Sequence, residues 1–363
     1  MLARRRSART LSVDWLPMRA SVFHGKGDIR VEEVPDPRIS EPTDALVRIT
    51  HAAICGSDLW FYRGIWDWKP GYRTGHEFIG VVDAVGGEVR TVKPGDRVIA
   101  PFTFSDGTCE FCRKGVQTSC IHGNAWGALR ADGGQGEAAR VPYADGTLVR
   151  IPDELAEDGD RLAAAVLLSD VLPTGYHAAA SAGVSDGDTV AVIGDGAVGL
   201  CAVLSASYRG ASRVIAVGHH QERLDIARRF GATDVVDSHD PDVAEKLLDM
   251  TDGGPDRVLE AVGAQGPLDL AASVARPGGS IGYVGVPVNA TLNVARLFGQ
   301  NIALRGGVAP VRHYLPELLP DVVAGKLDAS PVLTMRVPLD GVPEGYRAMD
   351  QRTAIKVVVE MAA

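Results

Sequence analysis

Residues 189–206 read TVAVIGDGAVGLCAVLSA. A β-branched apolar run leads into Gly194-x-Gly196-x-x-Gly199, and an apolar helix-forming segment follows. In that order each glycine has its own task. Gly194 permits a tight turn, Gly196 lets the backbone approach a pyrophosphate, and Gly199 lets the helix pack on the strand. Ala197 and Val198 fall at the start of the helix, where free N–H groups and the positive dipole end suit phosphate. Three glycines in this pattern are weak evidence alone; the strand before them and the helix after them give the pattern its weight.

Outward from this stretch, TVAVIG, RVIAVG, DVVD, RVLEAVG and SIGYVGVP are strand-like runs, spaced by helix-like segments such as QERLDIARRFG and DVAEKLLDM. Strand and helix in alternation predict a doubly wound parallel sheet over residues 172–308. The second strand ends on Gly218, His219 and His220, with Arg223 beyond. An acidic residue is expected there if the adenosine ribose keeps a free 2′-hydroxyl. Its replacement by Gly218, with His219, His220 and Arg223 close by, favours NADP over NAD.

Residues 18–171 have a different style. RASVFHG, DALVRITHAAI, FIGVVDAVG and DRVIAPF are short alternating runs bounded by Gly, Pro and Asp, and predict a β-rich domain. After residue 308 the chain leaves the parallel sheet: VRHYLPELLPDVVAGKL predicts a helix, and AIKVVVE a closing strand that returns to the first domain over 309–363. Residues 1–17 are basic with no apolar run behind them, and are expected to be a flexible extension rather than a secretory signal.

The 37 basic and 46 acidic residues give a net charge of −9, which argues against nucleic acid or an anionic membrane as partner. No apolar run reaches the ~20 residues needed to span a bilayer. Five cysteines without an export signal favour metal or thiol chemistry in the cytoplasm over disulfides. Three of them, Cys109, Cys112 and Cys120, lie together. Their spacing admits a zinc lobe, a redox pair or coincidence, and three thiolates are one ligand short of a closed zinc site.

CGSD (residues 55–58), Gly75-His76-Glu77-x-x-Gly80-x5-Gly86-x-x-Val89, GDRV (residues 95–98) and the glycine fingerprint follow one another along the chain. In this order they resemble the zinc-containing medium-chain alcohol dehydrogenases, from Met18 onward. The resemblance implies a GroES-like catalytic domain interrupted by a Rossmann domain, with the active site between them. It implies Cys55, His76 and Asp170 as ligands of a catalytic zinc, Glu77 beside the metal, and Ser57 as acceptor of the alcohol proton. Lys356 falls where relatives carry a base that contacts the cofactor pyrophosphate; the plainer reading is a surface lysine. The family's four-ligand lobe, here about residues 101–125, puts Asp106 in the first position and Cys109, Cys112 and Cys120 in the others. The redox reading then loses ground, since the pair is expected in a loop.

One departure stands out. Many relatives have a histidine three residues after the serine, where this chain has Trp60. Trp60, Trp66 and Trp68 suggest a bulky apolar pocket, or ordinary packing. The resemblance implies a small alcohol or carbonyl as substrate and a homodimer or homotetramer. Polyol or threonine dehydrogenases share the scaffold, and a catalytically silent protein is the reading furthest away, since all ligands and glycines are present.

Overall fold

The computed structural model describes residues 17–127 and 131–362; residues 1–16 of the expected extension lie outside the described residues. Six parallel strands form one sheet, in the spatial order Asp234–Asp237, Arg213–Gly218, Thr189–Ile193, Arg257–Glu260, Ser280–Tyr283 and Ala303–Gly306. The first three run outward from the centre in one direction and the last three in the other. The crevice at this reversal is where a doubly wound sheet binds its ligand. Both faces are covered: Val190 and Val192 pack into one apolar cluster, while Ala191 and Ile193 pack into another. That two-sided burial is why these strands read as continuous apolar runs.

The second sheet has seven strands. Its path runs Leu333–Pro338, Lys356–Glu360, Ala45–Ile54, Glu77–Val85, Arg97–Ala100 and Val149–Arg150, with Ala138–Val141 paired beside the first half of Ala45–Ile54. The closing strand from the far end of the sequence thus sits against Ala45–Ile54, with Val357 opposite Ile54. On the other side Ala53 pairs with Glu77. These two registers bring residues 55, 77 and 356 to one end of the sheet. A hairpin of Met18–Gly25 and Asp28–Val34 lies beside it, and its second arm was not foreseen from the sequence. The expected C-terminal helix is Val311–Val323. Helix Val171–Ala182, almost wholly buried, carries the chain from one sheet to the other.

Candidate active site

Strand Ala45–Ile54 delivers Cys55 to a turn, and the short helix Asp58–Tyr62 follows. His76 immediately precedes strand Glu77–Val85, and Asp170 stands at the start of helix Val171–Ala182. Three separate parts of the chain therefore converge. The Cys55 Sγ lies 3.3 Å from Asp170 Oδ2, and His76 Nε2 lies 3.3 Å from the same oxygen. Ser57 Oγ is 3.5 Å from His76 Nε2. Asp170 is oriented by Thr174, whose hydroxyl donates to Oδ1 at 2.8 Å, so Oδ2 is the oxygen turned to the thiol and imidazole.

Asp58 was quoted in the CGSD motif but given no role, and it proves to organise the cluster. Its Oδ2 accepts from the Cys55 backbone N–H at 3.0 Å, and Oδ1 lies 3.2 Å from His76 Nδ1. A carboxylate on Nδ1 fixes the ring and leaves Nε2 for the centre of the cluster. The charges reinforce one another. Burial opposes protonation of His76, but Asp58 and Cys55 outweigh it and hold the imidazole well above its usual pKa. Burial likewise raises Asp170, yet the hydrogen bond and charge of His76 leave its carboxyl well below the usual range. Burial and Asp170 push the Cys55 thiol up to about 11.

Lys356 corrects the sequence expectation. It is neither on the surface nor on the wall of the cofactor cleft; it is 0% exposed and ion-paired with Glu77, also 0% exposed. The sheet register is the reason, because residues 77 and 356 flank the end of the same central strand. A buried ammonium needs a buried counter-charge, and Glu77 supplies it. The other Glu77 oxygen, Oε2, is buried with no hydrogen-bond partner.

A cleft of about 700 Å³ joins this cluster to the glycine fingerprint. Gly194, Gly196, Ala197 and Val198 line it, with Gly218, His219, His220 and Arg223 further along. Gly194 has φ +116°, outside the range of other residues, and a Cβ on Gly199 would stand 1.9 Å from the Gly194 carbonyl oxygen. A Cβ on Gly196 would meet nothing within 4 Å, which leaves the backbone there open to a ligand. Asp195, between the first two glycines of the fingerprint, has no role in the sequence reading. A Cβ on Gly218 would lie 2.5 Å from the Asp195 Cβ, so the carboxylate occupies the place where an acid on Gly218 would have been. Asp195 Oδ2 accepts from the His219 and His220 backbone N–H groups and faces His220 Nδ1 at 2.9 Å.

In the lobe, ligand atoms of Asp106, Cys109, Cys112 and Cys120 all lie within 4.8 Å of one another. Asp106 Oδ1 accepts from the N–H groups of Thr108 and Cys109, and Oδ2 lies 2.6 Å from His122 Nδ1. The pair Cys109/Cys112 is not in a plain loop as expected: Cys109 caps a one-turn helix, Glu110–Arg113. The surroundings are a two-stranded hairpin, Thr103–Phe104 with Asn124–Ala125, and not a βαβ unit. The lobe also touches the cleft, since the Thr118 hydroxyl donates to the Val308 carbonyl at 3.2 Å and Val308 lines the cleft.

Comparison with known families agrees with this architecture. Residues 41–153 match the alcohol dehydrogenase GroES-like domain, and residues 197–324 match the zinc-binding dehydrogenase domain. An uncharacterized zinc-type alcohol dehydrogenase-like protein of Bacillus subtilis is 34% identical, over 94% of this chain and 100% of its own length. This chain belongs to the zinc-containing medium-chain alcohol dehydrogenase family. Another member, an alcohol dehydrogenase of Cupriavidus necator, is 32% identical over 91% of this chain and 94% of its own. Among solved structures, the alcohol dehydrogenase of Thermus sp. ATN1 superposes with a TM-score of 0.88 at 36% identity, covering 95% of this chain and all of the other.

As a medium-chain alcohol dehydrogenase the protein uses zinc and a nicotinamide cofactor, and its residues fit both. Thiol, imidazole and carboxylate converging on one point are the donor set of a zinc site with an open position. The open backbone at Gly196, ahead of helix Ala197–Tyr208, fits a pyrophosphate. Of the three tryptophans, Trp60 lines the cleft, with Trp66 stacked on it at a ring separation of 6.1 Å. Trp68 packs instead on Phe61 and Tyr72.

Proposed function

We propose that this dehydrogenase interconverts an apolar alcohol and its aldehyde or ketone, with NADP as preferred cofactor. The observation that carries the reading is the convergence of Cys55, His76, Asp170 and Ser57 on the floor of the cleft that the glycine fingerprint lines. In this reading Cys55, His76 and Asp170 hold the catalytic zinc. Bound zinc supplies Lewis acidity toward the substrate oxygen, and the nicotinamide accepts or gives the hydride.

The remaining work falls to the chain. Asp58 keeps His76 oriented with Nε2 toward the cluster. Ser57 Oγ accepts the hydroxyl proton through a hydrogen bond as it passes its own proton on to water in the cleft it lines. Leu59, Trp60 and Phe102 line the cleft beside it and exclude water from the reacting oxygen. Lys356, paired with Glu77, lies beneath, and its ammonium offsets part of the negative charge that thiolate and carboxylate bring together. Asp106, Cys109, Cys112 and Cys120 hold a second, structural zinc.

The NADP preference rests on the missing acid at Gly218 and on Asp195. The Asp195 Oδ2 is engaged by two backbone N–H groups and His220, and its Oδ1 is ion-paired with Arg223 Nη1 at 3.7 Å, so the carboxylate is turned to this chain's own donors. Burial raises the Asp195 carboxyl, but the contacts with His220 and His219 outweigh that and keep it ionised.

A polyol or threonine substrate is less well suited to the tryptophan and phenylalanine walls. An oligomer built through strand Ala303–Gly306 fits an edge exposed throughout, near Phe298 at 85% exposure. Among the described residues no helix is long and apolar enough to cross a membrane. All five cysteines are free, in keeping with a reducing compartment such as the cytoplasm.

A steady-state panel of alcohols and carbonyls with NAD and NADP side by side tests the proposal. Folded Cys55→Ser or Asp170→Ala enzyme with undiminished turnover would sink the zinc assignment. A marked preference for NAD would sink the cofactor assignment.

A further inference from the structure

We propose that Arg352, which comes from the catalytic domain, completes a pocket for the 2′-phosphate of NADP, so that this phosphate ties the two domains together. The inference rests on the NADP reading and adds to it a residue that lies outside the Rossmann domain.

Arg352 occupies the turn between helix Val342–Asp350 and strand Lys356–Glu360, with φ +62°. That left-handed conformation is uncommon for a residue with a side chain, so the surrounding structure must impose it. In it, both ends of the residue reach the cofactor domain. Its carbonyl accepts from Arg223 Nη2 at 3.3 Å, and its own Nη1 lies 3.3 Å from His219 Nε2. Arg352, Arg223, His219, His220 and Ser238 all line the same end of the cleft.

The hydrogen bonds define the state of His219. Nε2 faces a guanidinium, which can only donate, so Nε2 accepts. Nδ1 then carries the proton and donates to Ser238 Oγ at 3.0 Å. The ring is sandwiched, with His239 and His220 each at a centroid separation of 4.0 Å. Burial, with His220, His239 and Arg352 assisting against Asp195, holds its pKa below the ordinary value.

The charge count at this end of the cleft is uneven. Among the residues lining this end, two guanidiniums, Arg223 and Arg352, meet one carboxylate, Asp195, which lies 3.7 Å from Arg223 Nη1 and is also bound to His220; Glu222 acts on Arg223 from outside the cleft wall. Among the described residues Arg352 has no carboxylate partner. Like charges gathered without a counter-ion are unfavourable, and an anion placed between them relieves the repulsion. Asp195, His219 and His220 bring ligand atoms within 4.8 Å and so resemble a metal site. The two adjacent guanidiniums repel a cation, and the arrangement favours a phosphate. Arginine forks suit its oxygens.

The test is calorimetric titration of the zinc-loaded enzyme with 2′,5′-ADP and 5′-AMP, which differ only in that phosphate. Wild type should bind 2′,5′-ADP at least about tenfold tighter than 5′-AMP, and Arg352→Gln should lose about tenfold for 2′,5′-ADP, the scale of one charge-assisted hydrogen bond. Binding of 5′-AMP should not change, which also shows that the variant is folded, and Arg352→Lys should recover part of the loss. Amide exchange over residues 351–355 should slow with 2′,5′-ADP and not with 5′-AMP. If wild type discriminates and Arg352→Gln does so equally, Arg352 has no part in the pocket. If wild type does not discriminate, the NADP reading itself falls and this inference with it. Unaltered exchange in the presence of 2′,5′-ADP overturns the tie between domains.

Discussion

Lys356 and Glu77 form an ion pair that no solvent reaches, directly behind the Cys55–His76–Asp170 cluster. Each comes from a strand flanking Ala45–Ile54, so the pair joins the last strand of the chain to one near its start. Removing one partner strands the other. Lys356→Met should lower stability by about 3–5 kcal/mol, read from urea unfolding, because Glu77 is left as an uncompensated buried charge. Lys356→Met with Glu77→Leu should recover much of that stability without recovering turnover. Unfolding midpoints that match wild type in the single variant would contradict the pairing.

The two zincs proposed here, one at Cys55, His76 and Asp170 and one in the cysteine lobe, should be separable. Asp170→Ala should lower the zinc content from two to one per chain and reduce turnover by at least about a thousandfold, if the lost Lewis acidity is worth several kcal/mol. Asp106→Ala should also leave one zinc, while Asp106→Cys should keep two, since thiolate is the commoner structural ligand. Zinc content by atomic absorption decides both. A chain that binds one zinc in the wild type would refute the second site.

Trp60 should act on binding more than on chemistry. Trp60→Ala removes an apolar wall, and KM for bulky apolar alcohols should rise about tenfold with kcat little changed, as expected for one to two kcal/mol of uniform binding. Small alcohols should be nearly indifferent. A fall in kcat with unchanged KM would instead place Trp60 in the proton path.

Cofactor affinity should depend on pH in a way that distinguishes NADP from NAD. Burial, with the neighbouring His220, His239 and Arg352 against Asp195, holds the His219 pKa below its ordinary value, so the ring is neutral at pH 7. A phosphate dianion beside it favours the protonated ring, so binding takes up protons and is favoured at lower pH. Above about pH 6.5, where the phosphate is already ionised, NADP affinity should fall as pH rises and then level off. NAD affinity should stay flat, and His219→Gln should flatten the NADP profile. Isothermal titration in buffers of different ionisation heat measures the proton uptake directly.

The alternation of strand and helix and the fingerprint turn are legible in the sequence because each depends on local pattern. Cys55, His76 and Asp170 came from the resemblance alone, and they lie close together in space with Ser57 beside them. What stayed hidden depends on long-range register or on side-chain direction. Nothing near AIKVVVE reveals that Lys356 turns inward, since that follows from pairing with Ala45–Ile54. Asp195 reads as a filler residue between two glycines, and only the parallel pairing of its strand with Arg213–Gly218 sets it against Gly218. Arg352 lies in another domain altogether, and its contact with His219 has no sequence signal. The one-turn helix at Cys109 is too short for any periodicity to announce it.

The hydrogen bond from Thr118 to the Val308 carbonyl gives the cysteine lobe a reach beyond its own fold. Val308 belongs to the wall of the reaction chamber, and the backbone that carries it is pinned from outside by the lobe. If the lobe holds the zinc proposed for it, removing that metal would loosen this wall and register as a change in which alcohols the enzyme accepts.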